Sequence, residues 1–293
     1  MTKKQKLPTL RQFQDRFPTE ESCLEHLMRT RFGERHDCEK CGAEAKFYRV
    51  KKRRSYACEH CGGQVYPTAG TPFDRTRTSL RDWFYVMFLF VTTRNGVAAK
   101  EVQRQLGVTY KTAWRMCHEI RKYMAIVDGD DSLGGEGKKV EIDETLIGGK
   151  SKGQGNIKGA KTIVIGMLER DGDVMTQVVD STRRVSLMPP VIENVEKGTE
   201  VHTDYLKSYH TIPEHGYTHK RVSHGTGQYV GPNGEGINAL EGFWAQLKRG
   251  IHGTHIHVSP KHLSKYLGEF EFRHNRRHAP HAMLDELLGA FAR

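Results

Sequence analysis

Four cysteines in two pairs constrain this chain more than any other feature. They read Cys38-Glu-Lys-Cys41 and, sixteen residues on, Cys58-Glu-His-Cys61. Each CxxC pair fits a knuckle that turns back so that both sulfurs face one point, and Gly42 and Gly62–Gly63 supply the tight turns. The intervening AKFYRVKKRRSYA reads as a hairpin carrying one pair toward the other. This is the spacing of a four-thiolate zinc ribbon, and the zinc is structural because sulfur fills all four positions. Disulfides are the competing reading. The N-terminal MTKKQKLPTLRQ is basic and lacks an apolar leader core, so secretion is not indicated and disulfides are disfavoured. Cys23 and Cys117 fall in apolar-periodic helical segments and read as small core residues.

Charge is unevenly placed. The formal net charge is +11 over 293 residues, yet the first 124 carry 25 Lys and Arg against 13 Asp and Glu, and the remainder 21 against 22. A basic half beside a near-neutral half implies that the first half grips a polyanion. The ribbon hairpin concentrates Lys51, Lys52, Arg53 and Arg54 beside Phe47, Tyr48 and Tyr56. That suits phosphate contact with stacking, and equally a basic surface facing protein. The longest apolar run, Trp83 to Val91, is nine residues and is expected to be a buried helix, not a membrane span. The expected setting is cytoplasmic and nucleoid-associated.

A second nucleic-acid signal lies in GVAAKEVQRQLGVTYKTAWRMCHEIRKYM, which resembles a helix-turn-helix. Ala98, Val102 and Leu106 line one helix face, Gly107 takes the turn, and Thr109 can cap a second helix. That helix presents Tyr110, Lys111, Thr112 and Arg115 outward and leaves Ala113, Trp114 and Cys117 to pack. An ordinary helical hairpin also has a Gly at its turn. The polar DGDDSLGGEG that follows reads as a flexible linker. The resulting division is residues 1–75 (helical segment plus ribbon), 76–127 (helix-turn-helix-like), 128–137 (linker) and 138–293 (a second, larger domain).

Strand signals then come in order: Lys139–Glu144, Lys161–Leu168 and Val174–Val179 around the turn at 170–173, a helix from Ser186 to Val195 with its Pro pair in the first turn, a strand over Thr199–Asp204, and a further strand near Tyr217–Ser223. The order matches a ribonuclease-H-like α/β fold, a mixed sheet with flanking helices, and also fits other α+β domains. Asp143 alternates away from Val140 and Ile142, and Asp204 ends its strand. In the helical INALEGFWAQLKRG, Asn238, Glu241 and Lys248 lie near one face, while Leu240, Phe243, Trp244 and Leu247 face the sheet. Two strand-borne carboxylates and a helix-borne one can hold two divalent cations for phosphoryl transfer. Lys248 and Arg249 then suit phosphate. Asn238 competes with Glu241 as third ligand, and charge favours Glu241.

These residues make the chain recognisable. The ribbon, AAKEVQRQLGVTYKTAWRM, VEIDETLIGGK, HTDYLKSYH and INALEGFWAQLKRGIHGTHIHVSPKHLSKYLGEFEFRHNRR together resemble a bacterial insertion-sequence transposase of the DDE class with an N-terminal zinc ribbon and an integrase-like core. The resemblance implies Mg2+- or Mn2+-dependent cleavage at transposon ends followed by strand transfer, on double-stranded DNA (both ends and target), by a homo-oligomer in a synaptic complex. It matches Asp143 and Asp204 to the first two acidic positions and the block with Asn238 and Glu241 to the third.

Twelve of the sixteen histidines follow residue 200. Of these, His224, His252, His255 and His257 lie near the third acidic block, where they can assist leaving-group protonation or serve structure. GGKSKGQGNIKGAK lacks the Gly that a nucleotide-binding P-loop needs at 144, which is Glu144, so it reads as a basic hairpin loop. Two other classes fit the same residues: a zinc-ribbon regulator with a ligandless second half, and a structure-selective nuclease.

Overall fold

The computed structural model describes residues 6–129, 131–148, 161–222 and 236–292. The chain divides into two compact units. One holds the residues up to Thr93, Ala99–Tyr123 and the stretch from Ala279 onward; the other holds Arg94–Ala98 and Met124–His278. No described helix is long and apolar enough to cross a membrane.

The first unit begins with helices α1 (Leu10–Arg16) and α2 (Glu20–Phe32), started by capping boxes at Thr9 and Thr19. Such a side-chain oxygen satisfies an otherwise orphaned amide and contributes about 1 kcal/mol. The ribbon follows as short strands: β1 (His36–Asp37) pairs antiparallel with β2 (Glu44–Ala45), and β3 (Phe47–Arg49), β4 (Tyr56–Cys58) and β5 (Gln64–Val65) form an antiparallel sheet. Helix α3 (Leu80–Thr92) buries Trp83, Phe84, Val86, Met87, Phe88, Phe90 and Val91, as its apolar run requires. The core is aromatic: Phe17 meets Phe84 edge-on at 5.0 Å and Phe73 meets Trp83 at 5.6 Å.

Helices α4 (Ala99–Leu106) and α5 (Tyr110–Asp128) are joined at Gly107, whose φ of +66° is the left-handed conformation that this turn needs. Thr109 caps α5 by accepting from the Thr112 amide at 3.2 Å. Ala113 and Cys117 are buried as expected, but Trp114 is not: it faces outward with 37% of its surface exposed. The carboxy-terminal helix, α9 in chain order (Met283–Phe291), packs in this first unit, with Phe291 4.1 Å from Tyr123 and 5.4 Å from Phe73. A division that ends in one domain over 138–293 does not reflect that return.

In the second unit, the stretch read as a linker contains β6 (Leu133–Gly134), both residues buried. Gly134, at φ +89°, donates its amide to Glu169, and the Thr199 side chain occupies the space that a Cβ would need. The glycines here serve close approach, and the expectation of a flexible joint is corrected accordingly. Strands β7 (Lys139–Ile147), β8 (Thr162–Glu169) and β9 (Val174–Val179) form an antiparallel run, β7 with β8 and β8 with β9. Helix α6 (Arg184–Asn194) starts two residues earlier than the sequence indicates, so Pro189 and Pro190 lie in its interior. There they remove two backbone donors, and near the helix end the Asn194 side chain donates from Nδ2 to the Pro190 carbonyl at 2.7 Å.

Strand β10 (Val195–Glu196) pairs parallel with β6, and β11 (Glu200–Thr203) and β12 (Thr218–Arg221) complete the main sheet. Its order is β12-β11-β7-β8-β9, with β11 parallel to both β7 and β12. This is a ribonuclease-H-like arrangement, a mixed sheet whose two parallel strands extend from the first antiparallel one. One face packs Val140, Ile142 and Val201 against α6. The other packs Val164 and Leu168 against helices α7 (Asn238–Gly250) and α8 (Pro260–Asn275) through Leu240, Phe243, Trp244, Leu247 and Phe270.

Candidate functional site

Strand register brings two aspartates together. The last paired position of β7 and β11 is Glu141 with His202. Two residues beyond it lie Asp143, still within β7, and Asp204, one residue past the end of β11, near enough that the charge of Asp204 raises the Asp143 carboxyl. Asp143 is half-buried on the face toward α7; its neighbour Glu144 points to the other face, where the Tyr209 hydroxyl donates to it at 2.8 Å. Burial, then Glu144, then Asp204 push the Asp143 carboxyl from 3.8 up to about 7. Burial also raises Glu144, against the Tyr209 hydrogen bond, and Asp204 adds to the rise. Three carboxylates thus concentrate negative charge where water screens poorly. The Asp143 and Asp204 oxygens suit a hard divalent cation, while Glu144 acts from the opposite face through its charge alone.

Asp143 is aimed by a contact that its sequence position does not announce. Trp244 donates its indole N–H to Asp143 Oδ2 at 3.1 Å. The indole reaches there because the strand residue paired with Asp143 is Gly166, where any Cβ would stand 2.5 Å from the ring. A glycine inside a strand often marks such a close approach, and IVIGML carries that signal.

Helix α7 is anchored to the sheet by a buried ionic network. Glu141, 2% exposed, accepts from the Leu240 amide at 3.0 Å and from Arg170 Nε at 2.9 Å. The carboxylate thereby sits at the helix N-terminus, where the helix dipole favours negative charge. Arg170 also donates to the Gly236 carbonyl at 2.9 Å and lies 3.2 Å from His202 Nδ1, which accepts from the Gly236 amide. His202 Nε2 is 2.8 Å from Glu200, whose other partner is Lys139 at 3.3 Å. Together these contacts fix the entry into α7 relative to β7 and β11. None of these residues stood out in the sequence, because the partners lie up to 99 positions apart.

Asn238 and Glu241 are exposed on the first turn of α7, about two turns and one turn before Trp244 respectively. Among the described residues, the four cysteines are the one group of three or more His, Cys, Asp or Glu whose ligand atoms lie within 4.8 Å of each other. Asp143, Asp204 and Glu241 are therefore not drawn to that distance. Lys248 is half-buried and Arg249 exposed in the last turn. Beyond them α7 continues as a π-turn, Ile251–His255, where His255 packs edge-on against Tyr266 at 4.8 Å. His252 and His257 are exposed. His224 and the basic loop of residues 149–160 lie outside the described residues.

In the ribbon, the sulfurs of Cys38 and Cys61 are 3.6 Å apart and those of Cys41 and Cys58 3.9 Å. Amides of His60 and Gly63 point at the Cys58 and Cys61 sulfurs, each at 3.4 Å. The Cys41 amide, with that of Lys40, pulls the Cys38 thiol down to about 6. Converging sulfurs served by backbone donors fit a tetrahedral thiolate metal site. At the hairpin tip, Lys51, Lys52 and Arg53 are exposed. Arg54 is not in that set: it is held by Glu20 at 2.7 Å and by the Thr76 carbonyl. Lys111 and Arg115 are exposed on α5, and Arg115 donates to the Pro72 carbonyl at 3.2 Å.

Comparison with known proteins places this geometry. Residues 132–275 match the ISXO2-like transposase domain, and residues 18–64 the transposase zinc-ribbon domain. The chain is 33% identical to an uncharacterized transposase-like protein of Haemophilus influenzae over 103 residues, covering 35% of this chain and 80% of that one. It is 26% identical over 262 residues to an uncharacterized protein in transposable element ISH50 of Halobacterium salinarum, covering 80% and 84%. The crystal structure of a pre-cleavage Mos1 transpososome aligns at a TM-score of 0.30 and 11% identity, over 71% of this chain and 78% of that one.

Proposed function

Because the chain belongs to the ISXO2-like DDE transposases, with their zinc ribbon, we propose that it cuts DNA at the ends of its element and joins the freed 3′-hydroxyls to target DNA. The observation that supports this most is Asp143 in β7 and Asp204 just past the end of the parallel strand β11, with surplus negative charge around them. Asp143 and Asp204, with Glu241 as third ligand, are the residues that would hold Mg2+ or Mn2+, which when bound polarises a phosphoryl oxygen and lowers the pKa of an attacking water. Trp244 holds Asp143 in one orientation, and the Leu206 amide, donating to Asp204 Oδ1 at 2.9 Å, holds the other carboxylate. Lys248 and Arg249 supply cations for the DNA phosphates. Zinc in the four-cysteine site is structural, and Lys51, Lys52, Arg53, Lys111 and Arg115 grip the duplex. Two or more copies assemble on paired ends. The test is a strand-transfer assay with duplex element ends and supercoiled target: joined product supports the reading, whereas cutting of branched DNA without joining favours a nuclease.

The third ligand is decided by two single substitutions. Glu241→Ala is expected to lower joining on the order of 10²- to 10³-fold, the usual cost of losing one electrostatic contact to the transition state. Asn238→Ala, which removes an uncharged amide, is expected to cost under about tenfold, since an amide oxygen ligates a divalent cation without neutralising its charge. A reversed order of the two losses would move the role to Asn238.

Metal binding is also expected to depend on pH. The folded-state pKa of Asp143 is raised, so its protonation stabilises the metal-free protein below pH 3.8, and that contribution is lost as pH rises through about 7. A divalent cation needs the ionised form and competes with the proton. Mn2+ is therefore expected to raise Tm more at pH 8 than at pH 6, and Asp143→Asn to remove the difference. Equal shifts of the wild type at both pH values would contradict the assignment.

A further inference from the structure

Beside the start of α5, within the first unit, lies a concave pocket of about 530 Å3. That volume falls inside the range of small-molecule sites, roughly 300–1,000 Å3. Two indoles and four cations line it: Trp83, Trp114, Arg75, Arg77, Lys111 and Arg115. Trp83 is buried, with its N–H directed to Thr76 Oγ1 at 3.4 Å, so it closes the floor of the pocket without a stranded donor. Trp114 is exposed on α5, where a residue that only served the core would turn inward. The Arg115 guanidinium lies 6.0 Å from the Trp83 ring centre and is fixed by the Pro72 carbonyl. Among the described residues none of the four cations is in an ion pair. The loop that supplies Arg75 bends through a left-handed residue, Arg75 itself at φ +52°, a conformation disfavoured for a side chain of this size.

Aromatic walls with a cationic rim are the chemistry of a base with its phosphate attached. A base stacked in a duplex shows only its edge in a groove and cannot enter a concavity; an extruded one can. We infer that this pocket takes one unstacked nucleotide of the bound DNA, its base against Trp114 and its phosphate at Arg115 and Lys111. This rests on the reading that the first unit grips DNA. It adds to that reading that recognition by α5 involves an extruded base as well as the intact groove.

The test compares binding of the full chain to two duplexes of one element-end sequence, fully paired or carrying a single extrahelical adenosine, by fluorescence anisotropy. The wild type is expected to prefer the bulged probe on the order of tenfold, the usual worth of one base stacked on an aromatic ring. Trp114→Ala should abolish that preference while leaving affinity for the paired probe within about twofold, and Trp114→Phe should restore part of it. Equal binding of the two probes by the wild type overturns the pocket and spares the DNA reading. So does a Trp114→Ala variant that weakens both probes alike. Failure of the wild type to bind either probe overturns both.

Discussion

Asp143→Ala and Asp204→Ala are each expected to reduce strand transfer by at least about 10³-fold while leaving binding to element ends unchanged. The magnitude follows from what the two carboxylates face. Both lie just beyond the parallel pairing of β7 and β11, and burial together with Glu144 and Asp204 already drives Asp143 up to about 7. A site that strains to hold negative charge without a cation will bind one strongly, and losing an anionic ligand removes charge stabilisation worth 10² to 10³ in rate by itself. Binding should survive because Lys51, Lys52, Arg53, Lys111 and Arg115 all lie in the other compact unit. Asp→Asn at either position is the sharper variant. It keeps shape and the contact with Trp244 at 143 or with the Leu206 amide at 204 while removing charge, so its loss should approach that of Ala. Joining by either variant within tenfold of wild type would refute the catalytic assignment.

What the sequence made legible, and what it did not, divides by the range of the interactions. Strand alternation marked Asp143 as facing away from Val140 and Ile142, and the helical spacing of Leu240, Phe243, Trp244 and Leu247 marked the buried face of α7; both are set by local period. The Thr109 cap and the Gly107 turn are local too, and the helices begin and end where those residues require. The support of the site is not local. Glu141 bonds to Leu240, Arg170 to Gly236, and Gly166 makes room for Trp244, each across many tens of residues. No period or spacing reports a carboxylate that caps a helix ninety-nine positions away. The misplaced features have the same origin. Trp114 was assigned inward by helical phase, but the loop carrying Arg75 and Arg77 builds a pocket wall beside it. Gly134 and Gly135 looked like a flexible joint, whereas Glu169 and Thr199 accept from their amides and Thr199 fills the space that a Cβ of Gly134 would take.

Removing the ribbon metal, by Cys58→Ser or by a strong chelator, is expected to unfold residues 36–65 and abolish DNA binding while leaving the β7–β9 sheet folded. Zinc in a four-thiolate site contributes about 10–16 kcal/mol, as much as the entire stability of an ordinary domain, about 5–15 kcal/mol. The ribbon has little to offset that loss. Its strands are two or three residues long, and its buried cluster is Cys38, Ala45 and Cys58 with Phe47 and Cys61 against it, so the sulfurs are themselves most of the core. The damage should spread within the first unit. The Tyr56 hydroxyl donates to Glu25 at 2.8 Å, Arg54 pairs with Glu20 at 2.7 Å, and Glu20 in turn accepts from the Arg81 amide at the start of α3. An unfolded ribbon leaves Glu20 and Glu25 without these partners and exposes the face of α2 that it covers. Limited proteolysis should therefore cut first between β1 and β5 and then near α2, with zinc content falling in step with anisotropy of the bound duplex. The Tyr209–Glu144 contact and the network around Arg170 lie wholly in the other unit, so divalent-cation binding at Asp143 should persist in the zinc-free protein. A Cys58→Ser protein that retains protease resistance across 36–65 and full DNA affinity would show that the four sulfurs do not hold the unit together.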